Sequence, residues 1–467
     1  MRHAHRLSIL LIALALAATA CTSDSGDNDT DSGTAATATT AATATATTAA
    51  TATTAATATT DGPATRFAGQ TLLVWNKVAA APAIDEVYAQ LTTEFEDKWD
   101  VTVTTESKSF DDLKATVLLA LGQSDGPDVA IVPQGRPDMG KAVEAGLLLD
   151  LTSFSEERGW PEAFGASTLT KTMFSADGVD FGTGNLYGLS PEVEFLGWFY
   201  NKDIFSDVGV QPPTTIEELD ALLATLADAG EIPMNAGNVE GFPFLHTFMS
   251  TANADMSVSY VNDLIYGRNN VSFDTEATQT AAARLMNWAD EGYFTPAFEG
   301  IAYGDSIGQF ASGNGAIMQT GTWIIPDLDP ETFGFFLTPA ISGGIGPQPG
   351  ATSEPFTVRV DTDVPDLAKE YIDWMMSERA AELLAGVGAL TTRTVTAAGQ
   401  SALAAEAQNA WGLITSSDQL GHYLDWASPT MFDTMVAESQ RMIAGEITPD
   451  EFVKALDADY QAYLSGQ

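Results

Sequence analysis

Apolar residues recur along the chain with two spacings, and each spacing predicts one kind of secondary structure. Short apolar or alternating runs predict strands at 70–75, 101–105, 128–132 and 195–200. Apolar residues three or four positions apart predict helices at 83–99, 111–121, 139–145, 216–229, 275–291, 366–387, 430–443 and 449–464. In the first part of the chain, strands alternate with helices of 10–15 residues. This order predicts an α/β lobe with a largely parallel sheet.

The N-terminus has the three parts of a secretory signal. Basic Arg2 and Arg6 precede an apolar stretch, 7–18, and small residues then lead to Cys21, the only cysteine. The stretch is too short to span a bilayer, so we predict a signal peptide at 1–20. The position of Cys21 predicts a lipobox, although Ala18 stands where leucine is usual. An ordinary signal peptide followed by a chance cysteine is the alternative.

The segment after Cys21 has almost no side chains that could form a core. Residues 22–33 are polar and acidic, and residues 34–60 are only alanine and threonine. Such a sequence cannot offset the entropy cost of ordering. We therefore predict that 21–65 is a disordered tether that joins a lipidated Cys21 to the folded body on the outer face of the cell membrane.

The remaining 66–467 segment is long enough for two lobes, since a single core seldom grows that large. The chain has 63 acidic and 20 basic residues, for a net charge of −43. This charge repels phosphate backbones, so we exclude nucleic acid as a partner. No other apolar run is long enough to cross a bilayer. We expect a monomer with no cofactor, no metal site and no internal disulfide, attached to the membrane only through its lipid.

Five passages occur in the order in which a known family has them. They are the 70–76 strand and loop, 186–205 with LYGLSP and FYNKDIF, 212–219 (PPTTIEEL), 310–323 ending in GAIMQTGTW, and 368–378 (AKEYIDWMMSE). Together they resemble the extracellular solute-binding proteins of sugar-type ABC transporters, the relatives of maltose-binding protein. The resemblance runs over roughly 70–465.

The resemblance implies a two-lobed α/β fold of the type II periplasmic-binding-protein class, with a hinge and a ligand cleft between the lobes. The implied lobe I is 66–193 and 333–395, and lobe II is 194–332 and 396–467. The lobes are expected to close around a solute by hinge motion, and ABC permease subunits in the membrane are expected to recognise the closed form. No catalytic residues are implied.

A sugar offers an apolar face to aromatic rings and a hydroxyl edge to polar side chains. Ends of predicted strands and positions matching the family supply the predicted ligand contacts: Trp75, Asn76, Gln134, Arg136, Glu194, Phe244, His246, Trp323 and Trp426. Three of these have a structural alternative. Trp75 could belong to the core, Arg136 could form a salt bridge, and Glu194 could support the hinge.

Two other functions stay open at this point. The same fold could bind a non-sugar solute such as a polyol, polyamine or peptide. A secreted glycosidase-like enzyme could use paired carboxylates such as Glu192 and Glu194, but we do not expect these two side chains to act as a pair. The G-x-S-x-G sequence at 304–308 lacks the preceding strand that a nucleophile elbow requires.

Overall fold

The computed structural model describes residues 66–78, 82–341, 343–395 and 400–466. The predicted signal peptide, the predicted lipidation site Cys21 and the predicted tether lie outside the described residues. Across the described ranges, none of the helices combines the length and apolar character that a membrane span requires.

The regular elements are as follows. The strands are β1 (Thr71–Lys77), β2 (Thr102–Lys108), β3 (Val129–Ile131), β4 (Met173–Phe174), β5 (Asn185–Leu186), β6 (Gly188–Leu189), β7 (Val193–Asn201), β8 (Ile317–Gly321), β9 (Phe333–Phe336), β10 (Gln348–Thr352), β11 (Phe356–Val358) and β12 (Leu420–Gly421). The α-helices are α1 (Pro82–Trp99), α2 (Phe110–Leu121), α3 (Lys141–Glu144), α4 (Thr152–Glu157), α5 (Trp160–Phe164), α6 (Ala166–Leu169), α7 (Lys202–Val208), α8 (Ile216–Asp228), α9 (Phe242–Asn253), α10 (Val258–Tyr266), α11 (Glu276–Asp290), α12 (Tyr303–Ala311), α13 (Pro365–Met375), α14 (Glu378–Gly386), α15 (Ala402–Ser416), α16 (Met431–Ile443) and α17 (Pro449–Gly466). A π-helical turn covers Arg136–Gly140, and 3-10 turns cover Thr170–Thr172, Phe298–Gly300, Thr322–Asp327 and Leu424–Trp426.

Most of the predicted helices are confirmed to within a few residues, because apolar spacing and capping residues are local signals that can be recognised in the sequence. The Thr215 hydroxyl, for example, accepts the Glu218 N–H at the start of α8. The single helix predicted over 366–387 is wrong. It is two helices, α13 and α14, because the Ser377 hydroxyl accepts the Ala380 N–H and starts a new helix there.

Two five-stranded sheets form the framework. The first has the order β2-β1-β3-β11-β6, with β1 parallel to both β2 and β3. The second has the order β12-β10-β7-β8, and β9 also pairs with β7. Helices pack on both sheets, for example α13 on β11 and α9 on β8 and β10. The predicted α/β fold class is therefore confirmed.

The chain crosses between the sheets at 189–193 and again at 353–355. The first crossing joins β6 of the first sheet to β7 of the second, close to the predicted boundary. The second crossing joins β10, paired with β7, to β11, paired with β3. The predicted division assigned 333–352 to lobe I, yet β9 and β10 both pair in the second sheet. Strand pairing across long separations decides this boundary, and the local sequence does not show it.

The G-x-S-x-G sequence lies within α12. The Ser306 hydroxyl is buried there and donates to the Tyr303 carbonyl at 2.7 Å. A nucleophile elbow needs a strand followed by a sharp turn, whereas this serine sits in the first turn of a helix.

Candidate functional site

A cavity of about 400 Å³ opens where elements of the two sheets meet. Its wall combines aromatic rings with carboxylates, and this size and composition are typical of small-molecule sites. Side chains at the ends of β1, β7 and β10 contribute to the wall, as do α2, α9, α12 and the segment after β12.

Trp323 presents an indole to the cavity from the 3-10 turn that follows β8. The ring folds back over Gly321, where an added Cβ would lie only 2.0 Å from the indole. The indole N–H donates to the Tyr303 hydroxyl at 2.6 Å, and that hydroxyl is 2.6 Å from the Thr320 hydroxyl. The absence of a side chain at Gly321 therefore leaves room for the Trp323 ring, and the hydrogen bond to Tyr303 fixes its orientation.

Trp426 lies in the 3-10 turn after β12 and packs against the loop that follows β3. Gly135 in that loop has a φ of +77°, and a Cβ there would lie 2.4 Å from the indole of Trp426. Tyr423 is in ring contact with Trp426 at 5.2 Å, and His246 lies 5.9 Å from Tyr423 and 5.7 Å from Trp323. These four rings form a continuous wall, which we call the aromatic wall.

Glu194 and Glu354 share a single lysine in the buried part of the cavity. Lys77, at the end of β1, forms an ion pair with Glu354. Burial, and then the charge of Glu354, together raise the pKa of Glu194 to about 8. Burial also acts to raise the pKa of Glu354, but the Lys77 ammonium outweighs it and holds that pKa below its usual value. The Tyr423 hydroxyl donates to Glu194 at 3.3 Å.

Glu192 joins this group from the residue before β7. The Tyr88 hydroxyl donates to its carboxylate at 2.6 Å, and burial raises the pKa of Glu192. We did not expect Glu192 and Glu194 to act as a pair, yet both line the cavity, because positions two apart on an extended chain share a face.

The opposite end of the cavity has a second lysine. Lys114 on α2 pairs with Asp138 at 2.5 Å and lies 4.0 Å from the centre of the Phe432 ring. Asp425 lies nearby, and burial raises its pKa to about 7. Phe110 from α2 and Phe242 from α9 are partly exposed residues of the cavity wall and meet edge-to-face, with ring centres 6.0 Å apart. We call this part of the wall the cavity mouth.

The structure brings five of the nine predicted ligand contacts to the cavity and leaves four outside. The five that line it are Gln134, Glu194, His246, Trp323 and Trp426. The four outside are Trp75, Asn76, Arg136 and Phe244.

Each residue outside the cavity has a different role. Trp75 is half-buried beneath the Lys108 ammonium, which lies 4.1 Å from the ring centre. The side-chain carbonyl of Asn76 accepts the Lys77 N–H at 2.9 Å. The Arg136 guanidinium donates to the Ile265 carbonyl at 3.3 Å and to the Val179 carbonyl, so neither predicted role, ligand contact or salt bridge, describes it.

Phe244 stacks on Phe298 at 5.9 Å inside the core of the second sheet. On α9 it lies two positions from both Phe242 and His246, which line the cavity together because residues four apart share a helix face. The sequence therefore contained a signal for Phe242, the i, i+4 spacing to His246. Glu354 and Tyr423 had no local signal, because only the chain crossing and the contact with β10 bring them to the cavity.

No group of three or more potential metal-ligating side chains is found among the residues that the structure describes. The cavity carboxylates instead face lysines and tyrosine hydroxyls.

The sequence matches the family of bacterial extracellular solute-binding proteins over residues 75–382. It is 23% identical to a multiple sugar-binding protein of Streptococcus mutans over 206 residues, 42% of this chain and 49% of the relative, so the match spans about half of that protein. It is also 23% identical to a galactooligosaccharide-binding protein of Bacillus subtilis over 324 residues, 67% of this chain and 70% of the relative. A solved chitin oligosaccharide binding protein superposes with a TM-score of 0.74 at 20% identity, covering 85% of this chain and all of the other.

The matched region includes more than half of the chain, all strands of both sheets except β12 and the start of β1, and most of the cavity wall. This chain belongs to the bacterial extracellular solute-binding protein family.

Proposed function

We propose that this protein captures a sugar or oligosaccharide outside the cell and delivers it to an ABC importer. The cavity carries the proposal: rings of the aromatic wall can cover the apolar face of a sugar, while Gln134 and Glu194 can bond its hydroxyls. The names of its relatives support a carbohydrate, since one is a multiple sugar-binding protein and another is a galactooligosaccharide-binding protein.

A thermal-shift screen of the purified protein tests this function. Mono- and oligosaccharides, polyols and polyamines are added separately, and the unfolding temperature is measured. A sugar at 100 times its dissociation constant should stabilise the protein by about 2.7 kcal/mol. A polyamine or polyol that shifts the transition while no carbohydrate does would overturn the sugar assignment.

The proposed function is binding alone, so the protein should not hydrolyse the sugar that it binds. Glu192 and Glu194 both line the cavity, so a glycosidase assay with the same sugars is a necessary companion experiment. We expect the bound sugar to be recovered intact, because Glu192 already accepts the Tyr88 hydroxyl and Glu194 the Tyr423 hydroxyl. Steady release of hydrolysed product by the purified protein would contradict this.

We further propose that Cys21 is lipidated and holds the protein at the outer face of the membrane, near its permease. The sequence around Cys21 and the alanine- and threonine-rich segment after it support this proposal. A Cys21→Ser variant should be found free in the medium, and the wild-type chain in the membrane fraction. Equal release of the two proteins would show that Cys21 is not the anchor.

A further inference from the structure

The cavity wall has more carboxylates than cations. Its carboxylates are Asp138, Glu192, Glu194, Glu354 and Asp425, and its cations are Lys77 and Lys114. Each lysine is already in an ion pair, Lys77 with Glu354 and Lys114 with Asp138. Within the described ranges, no lysine or arginine forms an ion pair with any of the other three carboxylates.

Glu194 is the most enclosed of these three carboxylates. Its exposed fraction is 6%, and it lies at the edge of the aromatic wall, where the Tyr423 hydroxyl donates to it. A buried carboxylate without an ion-pair partner of its own is costly, so it either binds a proton or gains from a positive partner. The raised pKa of Glu194 favours the first outcome in the absence of ligand, because burial favours the neutral form of its carboxyl group.

The aromatic wall favours the second outcome, in which Glu194 gains from a positively charged partner. His246, Trp323, Tyr423 and Trp426 enclose the space next to Glu194 with ring contacts of 5.2 to 5.9 Å. Indole and phenol faces attract ammonium groups through their quadrupoles, most strongly where water is excluded. Aromatic faces beside an uncompensated carboxylate are complementary to a sugar that carries a protonated amine.

We propose that the preferred ligand of this cavity is an amino sugar, bound with its ammonium group against Glu194. This inference rests on the proposed function, and it narrows the proposed ligand from a sugar in general to a cationic carbohydrate.

Binding of such a ligand should displace a proton. The charged and titratable groups facing Glu194 are Lys77, Glu192, Glu354, Tyr303 and Tyr423. Of these, Lys77 is held charged by Glu354, and burial keeps both tyrosines protonated. Arrival of an ammonium favours the ionised form of Glu194, so its proton leaves to solvent near neutral pH.

Calorimetry on the full-length protein tests the inference. Glucosamine oligomers of two to four units are compared with their N-acetylated counterparts, which have the same ring but no charge, and with neutral glucose oligomers. We expect the amine forms to bind at least tenfold more tightly at low salt. We also expect proton release, seen as a heat that differs between buffers of different ionisation enthalpy.

A Glu194→Gln variant should lose most of this preference while keeping affinity for the uncharged sugars. Glu299→Gln, which changes an exposed carboxylate outside the cavity, is the matched control and should keep the preference. If Glu194→Gln does not fold, the proton release of the wild-type protein still decides the question.

Equal affinity for amine and N-acetylated sugars, without proton release, would overturn the inference and leave the proposed function intact. Binding of spermidine but of no sugar would overturn both, since it would show a cation site that does not take carbohydrate. Binding of none of these compounds would overturn the inference, and the thermal-shift screen would then decide the proposed function.

Discussion

The aromatic wall depends on single residues whose neighbours hold them in place. Trp323 is the clearest case, because Gly321 leaves room for its ring and Tyr303 accepts its indole N–H. The ring therefore requires little reordering when a ligand arrives, and its contact area contributes to affinity with a small entropy cost.

Replacing Trp323 by alanine should weaken sugar binding by about 1–3 kcal/mol, through lost stacking and lost apolar contact. The measurement is titration calorimetry with a sugar identified in the thermal-shift screen. Trp75→Ala is the matched control, since Trp75 lies outside the cavity beneath Lys108. The affinity of this variant for the sugar should equal that of the wild type. A loss of affinity in Trp75→Ala but not in Trp323→Ala would reverse our assignment of the two tryptophans.

At the scale of elements, two buried cationic side chains, Lys171 and Arg136, connect segments that are distant in the chain. Lys171, in the 170–172 turn, is 3% exposed and donates to the Gly421 carbonyl at 3.2 Å. Its ammonium also lies 3.1 Å from the His422 ring. Arg136 makes a similar contact with the Ile265 carbonyl. In this acidic protein, both cations are held by carbonyls in place of carboxylates.

The contact of Lys171 predicts a pH dependence of stability. Burial lowers the pKa of Lys171 to about 7, whereas the unfolded chain keeps a pKa near its ordinary value. Between these two values the unfolded state binds more protons, so this group makes stability rise with pH, by at most about 1.4 kcal/mol per pH unit.

Urea unfolding of the wild-type protein and of Lys171→Met, from pH 6.5 to 9.5, measures this contribution. The wild-type protein should gain more stability over the range than Lys171→Met. The surface variant Lys454→Met should follow the wild type. Identical slopes for the wild type and Lys171→Met would mean that Lys171 stays charged in the folded state.

At the scale of the whole molecule, the cavity mouth is bordered by elements that belong to different sheets. Phe110 begins α2, which follows β2 of the first sheet, and Phe242 begins α9, which packs on β8 and β10 of the second. Their ring contact at 6.0 Å partly covers the cavity. If ligand exchange needs a hinge opening between the sheets, this contact must separate.

A cross-link at this mouth should therefore block exchange. Phe110→Cys and Phe242→Cys are combined in a Cys21→Ser background, which removes the only native cysteine, and are joined by a short bismaleimide. Release of a bound labelled sugar should slow by at least tenfold on cross-linking. Each single-cysteine variant, treated in the same way, should release sugar normally. Unchanged release from the cross-linked protein would show that ligand leaves by another route.

Much of this fold could be predicted from local patterns alone. Capping residues and apolar spacing identified α1, α2, α8, α11, α16 and α17, because these signals act over one or two helical turns. Gln134 was also identified, since it follows a predicted strand and strand ends line clefts in α/β folds. The resemblance to a known family, and not a strand end, identified Glu194. The acidic charge and the N-terminal pattern that predicts a signal peptide and a lipidated Cys21 are likewise properties of the sequence itself.

Only the tertiary structure decided the boundary between the sheets and the charge balance of the cavity. Pairing of β9 and β10 with the second sheet is set by contacts across more than a hundred residues, and no local pattern encodes it. For the same reason Glu354 and Tyr423, distant from Glu194 in the chain, were missed although they lie beside it. Burial, and then the charge of Glu354, give Glu194 its raised pKa, and both are consequences of packing.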